Sequence, residues 1–268
     1  MRVFGLDGAR GKWAVCEITN KQLHLCLKDF DEFTGLLRSI DTEFRVVVDA
    51  PIGLIEPKDL RVSGDRDCDK AGRQLKLVGG VFPPPRSQQF ERYKKTESID
   101  HVCRTGEAGL SVQTRNILNC ILAAERLFLE FPGKVIEGHP ETVWPLIGAT
   151  QLGRKKSEVG FRARAKLLSI ALKVSFCDVL HEQCADKKGR LLKTGRDDWA
   201  DAAAMSLVAL RWSQFGGDLL VLYKSPDRNR RVPVTRLGEV EHWQHNGRVM
   251  ALPVSVQHAL PGNITRAP

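Results

Sequence analysis

The chain of 268 residues is poor in aromatic side chains, at 7% with only two tyrosines. That excludes an extended platform on which successive bases of a single strand would stack. It has no Cys-x-x-Cys pair; its seven cysteines are scattered and odd in number. A chain of this length needs no disulfide staples, so reduced thiols and a cytoplasmic location are expected. No stretch approaches the roughly 18 apolar residues that span a bilayer, so no membrane partner is expected. The opening MRVFGLDGARGKW shows no apolar run ahead of a small-residue cleavage site, so no secretory signal is read there. No internal repeat is visible. Hydrophobic residues make up 42% and charged residues 27%, ordinary for a soluble globular protein, and the length suits one large α/β domain or one domain with an inserted lobe. The net charge of +9 favours an anionic partner without naming it.

The pattern along the chain predicts three strands, a helix and a further strand. RVFGLDG (2–8) reads as a strand reaching Asp7, and KWAVCEIT (12–19) as an alternating second strand across a tight GARG hairpin. KQLHLCL (21–27) reads as a third. FDEFTGLLRSI (30–40) places Phe33, Leu36, Leu37 and Ile40 at helical spacing, with Asp29 or Asp31 as cap. The run FRVVVD (44–49) is a buried strand that ends in a carboxylate, and Pro51 then turns the chain. Hairpin strands followed by a helical crossover imply a mixed sheet.

Residues 55–132 break this rhythm with a basic stretch, a Gly/Pro loop and a helix over 109–131 capped by Ser111; they are read as an inserted, helical lobe. KVIEGHPE returns as a short strand ending at Glu137. GFRARAKLLSIALKVSF (160–176) predicts a basic amphipathic helix and RDDWADAAAMSLVALRWSQF (196–215) a long alanine-rich one. GDLLVLYKS (217–225) reads as an edge strand. The main domain is placed at 1–223, with an irregular extension over 224–268.

The carboxylates form a pattern. Asp7, Asp49 and Glu137 each end a strand, and Asp198 and Asp201 stand three apart near a helix start, on one face. Neighbouring parallel strands bring their ends to one edge of a sheet, where ligands bind. Gathered carboxylates repel one another and resist desolvation, and a divalent cation removes both penalties. Oxygen ligands of this kind suit Mg²⁺ or Mn²⁺, and two such ions about 4 Å apart support phosphodiester cleavage.

At these residues the chain resembles a known family. GLDGARGKWAV, VVVDAPIGL, RDCDKAGR, VFPPPR, GLSVQ, EGHPE, KK with FRARAKLL, and DDWADAAA follow the order of motifs in the DUF429 family, over roughly residues 3 to 215. That family is regarded as predicted nucleases of ribonuclease-H-like fold. The resemblance implies a five-stranded mixed ribonuclease-H-like sheet flanked by helices, with Asp7, Asp49, Glu137, Asp198 and Asp201 as catalytic metal ligands. The Asp198/Asp201 spacing also resembles the terminal acidic pair of Holliday-junction resolvases. Ribonuclease H keeps a glutamate on its first helix, whereas this chain offers only Asp31 and Glu32 near the start of that helix.

Basic residues near these motifs are candidates for holding phosphate: Arg66, Arg86, Lys155 and Lys156 foremost, with Arg162 and Arg164 beside them. His139 is a candidate acid or phosphate-positioning group, and Glu141 a supporting one. Cys177, His181 and Cys184 fall at i, i+4 and i+7, but zinc would want a fourth ligand. The expected function is a metal-dependent nuclease or phosphodiesterase acting on DNA or RNA. Two alternatives are an ATP-dependent phosphotransferase of the actin-like superfamily, using GLDGARGKW as a phosphate loop, and a non-catalytic nucleic-acid-binding protein.

Overall fold

A computed structural model describes residues 1–19, 22–52, 116–147, 152–185, 195–215, 219–221 and 251–253. The first three strands, β1 (Arg2–Ala9), β2 (Lys12–Thr19) and β3 (Gln22–Lys28), form an antiparallel meander. The β1–β2 turn is as short as the sequence predicts. Arg10 and Gly11 both have positive φ, 49° and 83°, the backbone that a two-residue hairpin requires and that glycine tolerates best. Helix α1 (Phe30–Arg38) follows, with Asp29 as its N-cap and the Glu32 carboxylate accepting from the Asp29 amide at 3.3 Å. Strand β4 (Phe44–Asp49) then pairs parallel to β1, and β5 (Val135–Glu137) parallel to β4. The result is one five-stranded mixed sheet in the order β3-β2-β1-β4-β5.

Side chains of β1 and β4 alternate between two cores, as the two-residue period of a strand demands. On one face Phe4, Leu6, Val46 and Val48 pack with Phe33 and Leu37 of α1 and with Ala124 and Leu127 of α2 (Leu118–Glu130). On the other face Val3 and Val47 pack under α6 (Arg196–Phe215), supported by α4 (Glu158–Leu172) and α5 (Phe176–Cys184). Between α2 and α4 lie β5, the short helix α3 (Pro140–Val143) and a 3₁₀ turn at Trp144–Ile147.

Gly5 decides how α6 sits. A Cβ there would run into the Ala202 carbonyl oxygen and the Ser206 amide nitrogen, so helix backbone lies directly on strand backbone. The alanine-rich face supplies the matching smoothness: Ala202, Ala203 and Ala209 are all fully buried. The edge strand β3 is closed off by α5, whose Gln183 amide accepts from the Leu25 N–H at 2.6 Å and donates to the Leu23 carbonyl at 3.2 Å.

Three sequence expectations change. The helix predicted over 160–176 is two helices, because Lys173 adopts a left-handed φ of 57° and Ser175 caps a new start. The strand read at 217–225 is not an edge of the main sheet; β6 (Leu219–Val221) pairs antiparallel with β7 (Ala251–Pro253), inside the segment expected to be irregular. Cys177 and His181 are exposed and Cys184 is buried against β3, so the i, i+4, i+7 set makes no metal cluster. Of the 55–132 lobe, residues 55–115 lie outside the described residues, and with them Arg66, Arg86 and Ser111.

Candidate acidic site at the carboxyl edge of the sheet

The parallel ladder between β1 and β4 ends on a direct pair, Asp7 opposite Asp49. Their odd numbers share the parity of Gly5 and Val47, so both side chains project on the α6 face. The close seat of α6 at Gly5 brings Asp201, one turn into the helix, onto the same spot. One carboxylate oxygen from each of Asp7, Asp49 and Asp201 lies within 4.8 Å of the others. Asp7 is 8% exposed and Asp201 fully buried, while Asp49 keeps a partly exposed edge.

Among the described residues, few hydrogen bonds relieve this cluster. Asp7 Oδ1 accepts from the Gly8 amide at 2.6 Å. Asp201 Oδ2 accepts from Lys155 Nζ at 2.8 Å, and Asp201 Oδ1 is buried with no hydrogen-bond partner. Burial, then the charges of Asp49 and Asp201, hold the Asp7 carboxyl well above the usual carboxylate range. Burial and Asp201 do the same to Asp49, and burial raises Asp201 against the opposing pull of Lys155. Carboxylates in this condition either carry protons or take up a cation. Three hard oxygen donors and an unpartnered buried oxygen fit a divalent metal ion.

The other expected acidic residues stand around the three. Asp198 lies one turn nearer the start of α6; it accepts from the Gly195 amide at 3.1 Å, and burial, then Asp197, raise it to about 6. Its charge also acts on Asp7. Glu137 is the register partner of Val48, not of Asp49, so it projects on the opposite face. There its Oε2 accepts from the Ile52 amide at 2.9 Å and fastens the turn that follows Asp49.

The basic residues divide. Lys155 reaches the acidic cluster itself. Lys156 is exposed on the loop before α4. Arg162 pairs with Glu158 along α4 at 2.7 Å. Arg164 is 2% exposed and turned inward, bonding Glu141 at 3.3 Å and lying over the Trp144 ring. Burial therefore removes the phosphate reading of Arg164. His139 occupies the position just before α3, and burial, then Lys155, push its pKa down to about 4, so it is a neutral imidazole at neutral pH. The Lys155–Asp201 and Arg164–Glu141 pairs were not readable from the sequence. The signal was a matter of parity and helix phase: Arg164 falls with Phe161, Ala165 and Leu168 on the buried side of α4.

A family model described as a protein of unknown function, DUF429, matches residues 5–228, and the chain belongs to that family. No curated protein and no solved structure matches it.

Proposed function

We propose that this protein is a metal-dependent nuclease or phosphodiesterase of ribonuclease-H-like fold. A meander of three strands continued by two parallel ones, with acidic residues at the carboxyl edge and a long helix laid over it, supports the fold reading. One observation carries the activity. Three carboxylates from three separate elements, β1, β4 and α6, converge within 4.8 Å, and the fully buried Asp201 has an oxygen without a partner. A fold gains nothing in stability from such a cluster, since each group is desolvated beside like charges.

Asp7, Asp49 and Asp201 would hold Mg²⁺ or Mn²⁺, and Asp198, one turn away on the same helix, would add negative charge beside them. Bound there, the metal would supply charge neutralisation and an activated water for attack on phosphorus. The chain's own residues do the rest. The strand pair fixes two donors rigidly, and α6 fixes the third. The net charge of +9 draws a polyanion such as DNA or RNA toward the protein, and exposed Lys156 lies close by in sequence to meet a phosphate. His139, kept neutral by burial, adds no positive charge there.

The test is cleavage of single-stranded, double-stranded and branched oligonucleotides with Mn²⁺, comparing wild type with Asp7→Asn. Loss of cleavage by at least about a hundredfold, with an unchanged circular dichroism spectrum, is the expected result. Equal cleavage by the variant would exclude the proposal. The phosphotransferase alternative gains no support from the site, and calorimetry with ATP is expected to show no binding.

A further inference from the structure

Lys155 is held in place with unusual care for a surface lysine. Its neighbour Gly153 has a left-handed φ of 65°. The Ser157 amide and hydroxyl both donate to the Arg154 carbonyl, at 2.9 and 2.7 Å, and Ser157 Oγ accepts from the Gly160 amide at 3.1 Å. A Cβ at Gly160 would collide with that same Arg154 carbonyl. From behind, buried Arg164 donates to the carbonyls of Gly160 at 3.2 Å and Gly153 at 3.4 Å. The loop is thus closed on itself and clamped, and the one long side chain it presents to the acidic cluster is Lys155. Its ammonium takes Asp201 Oδ2 at 2.8 Å, while the lysine side chain remains 40% exposed and that of Asp201 1%. One oxygen of Asp201 is therefore engaged by a resident cation and the other, Oδ1, is buried and unpartnered.

We propose that Lys155 is a built-in counter-ion that shares Asp201 with the divalent metal, so that it steadies the metal-free cluster and weakens the affinity of the site for metal. The inference rests on the reading of Asp7, Asp49 and Asp201 as a metal site. The physical reason is charge. A fixed positive charge within one carboxylate's width of a divalent ion repels it, through surroundings far less polarisable than water. The same charge offsets part of the repulsion among three desolvated carboxylates when no metal is bound. The side chain, 40% exposed, has room for its ammonium to shift without disturbing the packed backbone beneath it.

The experiment is calorimetric titration of metal-free full-length protein with MnCl₂, for wild type, Lys155→Met and Lys155→Arg. Removing the charge is expected to tighten Mn²⁺ binding by about tenfold or more, and keeping it as arginine to leave affinity within about twofold of wild type. Melting curves in EDTA and in Mn²⁺ give a second readout. Lys155→Met is expected to melt lower than wild type in EDTA and to gain more from Mn²⁺, which remains measurable if the variant is marginally folded. Wild-type binding that is unchanged or weakened in Lys155→Met overturns this inference and leaves the metal site standing. Failure of both wild type and Lys155→Met to bind Mn²⁺ overturns the metal site, and this inference with it.

Discussion

The two faces of the sheet are built on opposite principles. The face under α1 and α2 is filled by large side chains. Phe4 meets Phe33 edge-on at 5.5 Å, Phe44 meets Phe131 in the same way, and Trp13 packs on Phe30 at 4.9 Å. Under α6, Gly5 and the buried alanines Ala202, Ala203 and Ala209 stand among larger side chains such as Val3, Val47 and Met205, and the helix backbone touches the strand backbone at Gly5. Large side chains bury more apolar area, about 1.5–3 kcal/mol for each phenylalanine removed from water. Small ones give up that area and gain closeness. Closeness is what a carboxylate on a helix needs in order to meet two carboxylates on strand ends. One face therefore stabilises the sheet, and the other uses that stability to hold three like charges together.

Substitutions on each face sharpen this contrast. The largest effect is expected from Gly5→Val, which would drive the α6 backbone off β1; the variant should fail to fold cooperatively, as read by thermal denaturation. Phe33→Ala on the opposite face should lower stability by about 3–5 kcal/mol in urea denaturation. Its Mn²⁺ affinity, measured on folded protein, should match wild type, because Asp7, Asp49 and Asp201 all project on the other face. A variant that lost both stability and metal binding would show that the two faces are coupled.

The acidic face should also leave a signature in pH. Burial raises Asp198 to about 6 from an ordinary 3.8. A carboxyl whose folded pKa is raised binds more protons when folded, so its contribution is most favourable below about pH 4 and is lost as pH rises through about 6. In EDTA, wild type should therefore lose stability relative to Asp198→Asn between pH 4 and pH 7, and Mn²⁺ should reverse the trend if Asp198 helps to hold metal. A difference that does not vary with pH would contradict the burial of this group. The smallest effect is expected at the sheet edge. Gln183→Ala removes two hydrogen bonds to β3 and should cost about 1–2 kcal/mol without altering Mn²⁺ affinity.

Much of this arrangement was legible in the sequence. FRVVVD could only be a buried strand, and its terminal aspartate had to share an edge with Asp7 once β1 and β4 were parallel neighbours. The helix over 196–215 follows from its alanines. What the sequence hid was set by packing. Asp198 and Asp201 share a helix face, and only the depth to which α6 sinks at Gly5 places Asp201 in the centre and Asp198 nearer the rim. Glu137 ends a strand just as Asp49 does, but a one-residue offset in register turns it to the other face. Arg164 reads as a surface cation until the phase of α4 is fixed against Phe161 and Leu168. The break at Lys173 depends on a left-handed residue that no propensity favours. In each case local pattern gave the element, and tertiary contact chose which of two adjacent side chains faced the site.

The most direct test is diffraction from crystals soaked in MnCl₂, recorded at a wavelength where manganese scatters anomalously. The expected result is an anomalous peak within coordination distance, about 2.1–2.3 Å, of oxygens from Asp7, Asp49 and Asp201. Crystals that diffract well yet show no peak there, or show manganese only on other carboxylates, would contradict the assignment of these three residues as a metal site.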